Sequence, residues 1–206
     1  MPQITQGLRS VLSNPRVYRL FGQMIRKTSG GRTAFLKEYV RPKNGDRILD
    51  IGCGPGDVVQ YLPKVEYVGF DSSQEYINSA QDRYGDRATF ICKPVSTKTL
   101  EEQSSFDLVT AMGILHHLDE AEALQLFQLA QGALKPGGRL VTIDPCFVEK
   151  QSPVARYIIS KDRGQNVRTQ EAYLAIASQV FSTTAVSIRH DLLRIPYTHI
   201  ILECIR

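Results

Sequence analysis

The chain has 206 residues, 42% of them hydrophobic and 22% charged, which is ordinary for one globular domain with a sizeable core. No run approaches the roughly 18 apolar residues needed to cross a bilayer, the opening residues lack the apolar stretch of a secretory leader, and a cytoplasmic location is expected. Cys53, Cys92, Cys146 and Cys204 lie far apart, which argues against a disulfide framework or a paired-cysteine metal site, so no metal is expected.

The net charge of +4 is unevenly spread. Residues 1–47 hold ten Lys or Arg against only Glu38 and Asp46. Such a segment is either a solvated helix face or an attractor of an anionic substrate, a membrane surface or nucleic acid. In chain order, 15–28 and 32–40 read as helices joined by Ser29-Gly30-Gly31. A first strand at 47–51 enters a glycine-rich turn, after which a helix is expected. A second strand covers 67–70. A helix over 73–83 follows, capped by Ser72 or Ser73 with Glu75 in its first turn. Strands at 89–92 and 107–111 come next. A helix over 120–134 stops at Lys135-Pro136-Gly137-Gly138, and a fifth strand covers 139–143. Helices at 152–160 and 169–180 precede strands at 185–189 and 198–204. The join between those last two is too short for a parallel crossover, so they must run antiparallel. Strands that alternate with helices predict an α/β, doubly wound, mostly parallel sheet with helices on both faces.

The first chemical signal is Leu49-Asp50-Ile51-Gly52-Cys53-Gly54-Pro55-Gly56. Glycines here permit backbone conformations closed to other residues and let a ligand approach the main chain. In a doubly wound sheet the ligand lies beyond the carboxyl ends of the strands, where this turn falls. Asp71 follows Gly52 by 19 residues and ends the second strand, placed to accept hydrogen bonds from the ribose hydroxyls of an adenosine. Nicotinamide and flavin sites favour G-x-G-x-x-G, whereas this turn is G-x-G-x-G preceded by an aspartate.

Residues 47–56 resemble the first motif of class I S-adenosylmethionine-dependent methyltransferases. Val68-Gly69-Phe70-Asp71 resembles their ribose-binding motif. Phe106-Asp107-Leu108-Val109 with Leu115-His116-His117-Leu118 resembles their fourth motif, and 134–140 the turn into their fifth strand. The resemblance implies S-adenosylmethionine as cofactor and a seven-stranded sheet whose antiparallel last strand slots beside the fifth. It implies cofactor roles for Asp50, Gly52, Cys53, Gly54, Gly56, Asp71, Ser72 and the backbone at Ala111 and Met112. Many relatives carry an acidic residue after the third strand, where this chain reads Cys92-Lys93-Pro94-Val95; backbone or Ser96 is left to meet adenine. The chain reads as a single domain over 1–206: amino-terminal helices over the cofactor mouth (1–44), a cofactor-binding core (45–145), and substrate-side helices with an antiparallel hairpin (146–206).

Methyl transfer is an in-line displacement, so alignment carries much of the catalysis and a general base assists when the acceptor must lose a proton. Candidates at the carboxyl edge are His116, His117, Asp144 and His199. Arg163, Arg168 and Tyr197 are candidate substrate contacts. Two basic segments framing one entrance would favour an anionic acceptor. The expected reaction is methylation of an O or N atom of a small-molecule or sugar-like acceptor. Rival readings are an RNA methyltransferase and a non-catalytic S-adenosylmethionine-binding partner protein. Nucleic acid is disfavoured by the lack of a separate RNA-binding module and of an Asn/Asp-Pro-Pro-aromatic motif. No motif specifies an oligomeric state.

Overall fold

Alternation of side chains along each strand builds two cores, one on each face of a central sheet. The computed structural model describes residues 33–94, 106–162 and 164–206. The helix expected at 15–28, its glycine join, Ser96 and Arg163 lie outside those residues. The strands are β1 (Arg47–Ile51), β2 (Glu66–Asp71), β3 (Thr89–Cys92), β4 (Phe106–Met112), β5 (Leu134–Phe147), β6 (Arg168–Thr169), β7 (Thr183–Arg189) and β8 (His199–Ile205). The helices are α1 (Gln74–Tyr84), α2 (Glu120–Ala133), α3 (Pro153–Ser160) and α4 (Gln170–Ala177). Ile48, Leu108, Val141 and Ile201 face α1 and the Leu36–Val40 segment, whereas Leu49, Val109, Leu140 and Leu202 face α2 and α4.

The main sheet runs β3-β2-β1-β4-β5-β8-β7, and the two-residue β6 pairs with β5 off this path. Strands β1 to β5 are parallel neighbours, and β8 lies antiparallel between β5 and β7. The chain leaves β1 towards β2 and β3, then returns to place β4 on the other side of β1. That reversal puts a crevice at the carboxyl ends of β1 and β4, the location where doubly wound sheets take their ligands.

Local chemistry sets the element ends. Ser73 caps α1, its hydroxyl accepting the Tyr76 N–H at 3.3 Å. The helix expected after the glycine turn is a single 3-10 turn, Val59–Tyr61. Leu62 is extended there because it precedes Pro63, which disfavours helical backbone in the residue before it. The segment expected to be helical to residue 40 ends as a π-helix, Leu36–Val40, closed by Arg41 in left-handed backbone. The Lys135-Pro136-Gly137-Gly138 signal does end α2, yet β5 begins at once and is longer than the expected 139–143. Pairing jumps from Phe106↔Leu134 to Leu108↔Arg139, so the intervening residues bulge, with the Gly137 N–H bound to the Arg206 carbonyl at 2.9 Å.

Candidate functional site

The turn after β1 folds back on β2. The N–H groups of Gly52 and Cys53 both donate to the Phe70 carbonyl, at 2.8 and 3.0 Å. Gly52, Gly54 and Gly56 all have positive φ, 75°, 55° and 70°, which explains glycine in each place. Their open sides differ. A Cβ on Gly52 would stand 2.5 Å from Cδ1 of Ile114, and one on Gly56 would press 3.0 Å against the Phe90 ring. Among the described residues, nothing lies within 4 Å of a Cβ on Gly54. Among the described residues, Gly54 alone of the three has an open side; the other two are shaped by protein contacts.

Asp71 borders that space. One carboxylate oxygen accepts the Gly54 N–H at 2.9 Å, the other the Ser73 N–H at 2.8 Å. Burial raises its pKa, while the N–H donors of Ser73 and Gly54 pull the other way. An anionic carboxylate beside an open glycine at the end of β2 fits the hydroxyl donors of a ribose. Ser72, next in sequence, is exposed, and its carbonyl lies 3.8 Å from the Cys92 thiol. Cys53 is half-buried, and burial, then Asp50 and Asp71, push its thiol pKa well up. Met112 is half-buried at the end of β4, where the following Gly113 N–H donates to Ile143 at 2.7 Å.

Asp50 is 3% exposed and already engaged. It accepts the Tyr67 hydroxyl at 2.5 Å and the Thr110 hydroxyl at 2.7 Å. Strand register explains the trio, since Asp50 pairs with Gly69 on one side and Thr110 on the other, and Tyr67 precedes Gly69 by two residues on the same face. A Cβ on Gly69 would lie 2.8 Å from the Cys53 sulfur and 3.0 Å from the Tyr67 ring, so that glycine makes room for both. Sequence reasoning missed Tyr67, Gly69 and Thr110, although a glycine inside a strand signals close approach.

The second cluster lies beyond β4 and β5. Leu115–His117 form a 3-10 turn, and Asp119 starts α2 with a reciprocal cap: its carboxylate accepts the Glu122 N–H at 2.9 Å, and Glu122 accepts the Asp119 N–H at 3.0 Å. His116 is 7% exposed and Asp144 1%. Nδ1 of His116 lies 2.7 Å from Oδ1 of Asp144, and Nε2 lies 3.2 Å from Oδ1 of Asp162. Burial alone would lower the His116 pKa, but the Asp144 and Asp162 carboxylates outweigh it and raise it to about 9. Burial pushes the Asp144 carboxyl up, opposed by the ring and backbone N–H of His116. Among the described residues, no side-chain hydrogen-bond partner reaches the buried Oδ2 of Asp144. With both ring nitrogens on carboxylates, His116 has no lone pair to offer an acceptor. The His117 ring centre is 4.0 Å from that of His116.

Tyr197 and His199 meet the same cluster, their rings 4.9 Å apart, and the Tyr197 hydroxyl donates to Asp162 at 2.7 Å. The structure therefore brings His116, His117, Asp144, Tyr197 and His199 towards one edge, and adds Asp162. Arg168, an expected substrate contact, is held by backbone carbonyls. Its guanidinium binds the carbonyls of Leu115 (2.9 Å), Asn166 (3.1 Å) and Leu118 (2.7 Å), so it braces the histidine turn. The other expected cation, Arg163, is outside the described residues.

A sheet reversed only at its last strand, with an open glycine and a strand-terminal aspartate at the switch point, defines a nucleoside-cofactor methyltransferase domain rather than a dehydrogenase. A family model described as a methyltransferase domain matches residues 48–138. Phosphoethanolamine N-methyltransferase 1 of Arabidopsis thaliana is 31% identical over 168 residues, 77% of this chain and 33% of that protein. A ubiquinone biosynthesis O-methyltransferase of Idiomarina loihiensis is 25% identical over 121 residues, 56% of this chain and 49% of its own. In fold, the chain resembles phosphoethanolamine N-methyltransferase 2 of Haemonchus contortus, solved with phosphomonomethylethanolamine and S-adenosylhomocysteine: TM-score 0.71, 18% identity, 97% of this chain and 59% of that one. Residues 48–138 are thus a methyltransferase domain, and these likenesses support the class I S-adenosylmethionine-dependent kind. It spans about a third of the length of the plant relatives it matches. Among the described residues, no helix is long and apolar enough to cross a membrane.

Proposed function

We propose that the chain transfers a methyl group from S-adenosylmethionine to an O or N atom of a small molecule. The observation that carries this reading is Asp71 bound to the N–H of Gly54 beside an open glycine face. In this reading Asp71 and Ser72 meet the ribose, and Gly52, Cys53, Gly54 and Gly56 shape the turn beneath it. Asp50, steadied by Tyr67 and Thr110, and the backbone at Met112 stand on the methionine side. The bound cofactor supplies an electrophilic methyl; the protein orients the acceptor and excludes water. The turn after β4 and residues 146–206 form the acceptor side, with His117, His199 and Tyr197 the groups that meet the acceptor. His116 and Asp144 orient rather than abstract a proton, because the imidazole is held as a donor on both sides.

The similarity to phosphoethanolamine N-methyltransferases makes a small phosphorylated amine the first acceptor class to test. Lys150, Arg156 and Lys161 supply positive charge after β5, while Arg168 is spent on backbone carbonyls. Incubation with labelled S-adenosylmethionine and a panel of phosphorylated amines, free amines, phenols and RNA tests the reading. Label should enter a small molecule. Label entering RNA alone would refute it, and cofactor binding with no transfer to the panel or to cell extract would favour a non-catalytic partner.

A further inference from the structure

The stretch after α3 is fastened to the histidine turn at several points. Oδ1 of Asp162 faces Nε2 of His116 and accepts the Gly164 N–H at 2.9 Å, while its Oδ2 takes the Tyr197 hydroxyl. The Asn166 N–H donates to the His116 carbonyl at 3.0 Å. Gly164 packs directly on His116: a Cβ there would overlap the ring carbon Cδ2 and stand 2.5 Å from the carbonyl oxygen. No larger residue fits without moving the backbone of one segment or the other.

A neutral imidazole has one donor and one acceptor nitrogen. With Asp144 alone, His116 would be an aspartate–histidine pair whose Nε2 lone pair is free to take a proton, the arrangement of a general base. Asp162 occupies that second nitrogen. A lone pair pointed at a carboxylate oxygen is repelled, so Nε2 must carry a proton. Asp144 also accepts the backbone N–H of His116, at 3.2 Å, which opposes the burial that raises its carboxyl.

We propose that Asp162 is a positioning residue that converts His116 from a potential base into a fixed two-sided donor and, through its other oxygen, aims the Tyr197 hydroxyl. Gly164 is the residue that permits this approach. The joint ties together the turn after β4, the segment after α3 and the start of β8. The groups around the imidazolium are Asp144 from β5, Asp162 after α3, the His117 ring, and Tyr197 ahead of β8. Cys146 and the α4 residue Tyr173 stand near Asp144, and the Arg168 guanidinium is on the Leu115 carbonyl. Proton removal from an acceptor then falls to His117 or His199. This assignment rests on the reading of the cluster as the acceptor side of the site.

The test is a histidine-labelled NMR titration of the full chain, with the His116 signal assigned by its loss in His116→Gln. In the wild type, both ring nitrogens of His116 should stay protonated beyond pH 8. Asp162→Asn keeps the side-chain shape but removes the charge, and should lower the His116 midpoint by at least about one unit, a tenfold loss of proton affinity. Gly164→Ala, which forces the segment off the ring, should lower it in the same direction. A wild-type midpoint at or below the ordinary histidine value of about 6.5 overturns the proposal. A midpoint unmoved in both variants overturns it as well. Should a variant not fold, the wild-type titration still decides. No cofactor or acceptor is needed, so failure here is separable from failure of the methyl-transfer reading.

Discussion

Asp71 ends β2 with a carboxylate oxygen 2.9 Å from the backbone nitrogen of Gly54, across 17 residues of sequence. The bond joins the glycine turn to the end of β2, whose acid the proposed reading sets against the ribose. Removing the acid therefore acts on a ligand and on the turn together. Asp71→Ala should weaken S-adenosylhomocysteine binding by at least about 1.5 kcal/mol, since hydrogen bonds of a charged group contribute about that much. Calorimetry checks it; an affinity within twofold of wild type would remove Asp71 from the site.

The two neighbouring glycines should separate folding from binding. Gly52→Ala puts a methyl against Ile114 at positive φ and should cost about 2 kcal/mol or more of stability. Gly54→Ala meets no atom of the described residues, so only the backbone cost of about 1 kcal/mol is expected for folding. Its cofactor affinity should nevertheless fall at least tenfold. Denaturant unfolding and calorimetry on the same samples give both numbers; equal effects of the two variants on stability would contradict the assignment of faces.

His116 predicts a pH dependence of stability. Its folded pKa, raised to about 9, exceeds the ordinary unfolded value of about 6.5. The folded state therefore binds the extra proton in that window. The stabilisation is complete below about pH 6.5 and is lost as pH climbs through about 9, a change on the order of 3 kcal/mol. Urea midpoints measured between pH 6 and pH 10 should fall across this window, and His116→Gln should flatten the slope.

Arg168 is predicted to matter for folding rather than for substrate charge. Arg168→Ala leaves the Leu115, Asn166 and Leu118 carbonyls without their cation and should cost about 2 kcal/mol of stability. Arg168→Glu should destabilise further, yet the salt dependence of kcat/KM should match that of wild type. A salt dependence abolished by Arg168→Glu in a protein of unchanged stability would return Arg168 to the substrate.

His117→Ala and His199→Ala should each lower kcat on the identified acceptor, by up to about 10²–10⁴-fold for whichever serves as base, with cofactor affinity unchanged. Wild-type turnover in both would mean that the reaction runs on alignment alone.

Much of this architecture was legible in the sequence because it rests on local signals. Turn chemistry at Gly52–Gly56 and 135–138, the Ser73 cap and the strand alternation each act within a few residues. The resemblance supplied the antiparallel placement of β8 beside β5. What escaped depends on distant partners. The Tyr67 and Thr110 hydroxyls on Asp50 come into view only once strand register is known. Arg168 reads as free charge until the Leu115 and Leu118 carbonyls arrive from the turn after β4. Asp162 reads as one charge among several, because only the fold puts Nε2 of His116 in front of it. The bulge that lengthens β5 likewise depends on pairing with Phe106 and on the Arg206 carbonyl.

The most direct test of the central claim is calorimetry of the purified chain against S-adenosylmethionine, S-adenosylhomocysteine and NAD. Both sulfur ligands should bind, with the affinity reduced in Asp71→Ala and Gly54→Ala, and NAD should give no heat. Saturable NAD binding with no response to either sulfur ligand would contradict the account.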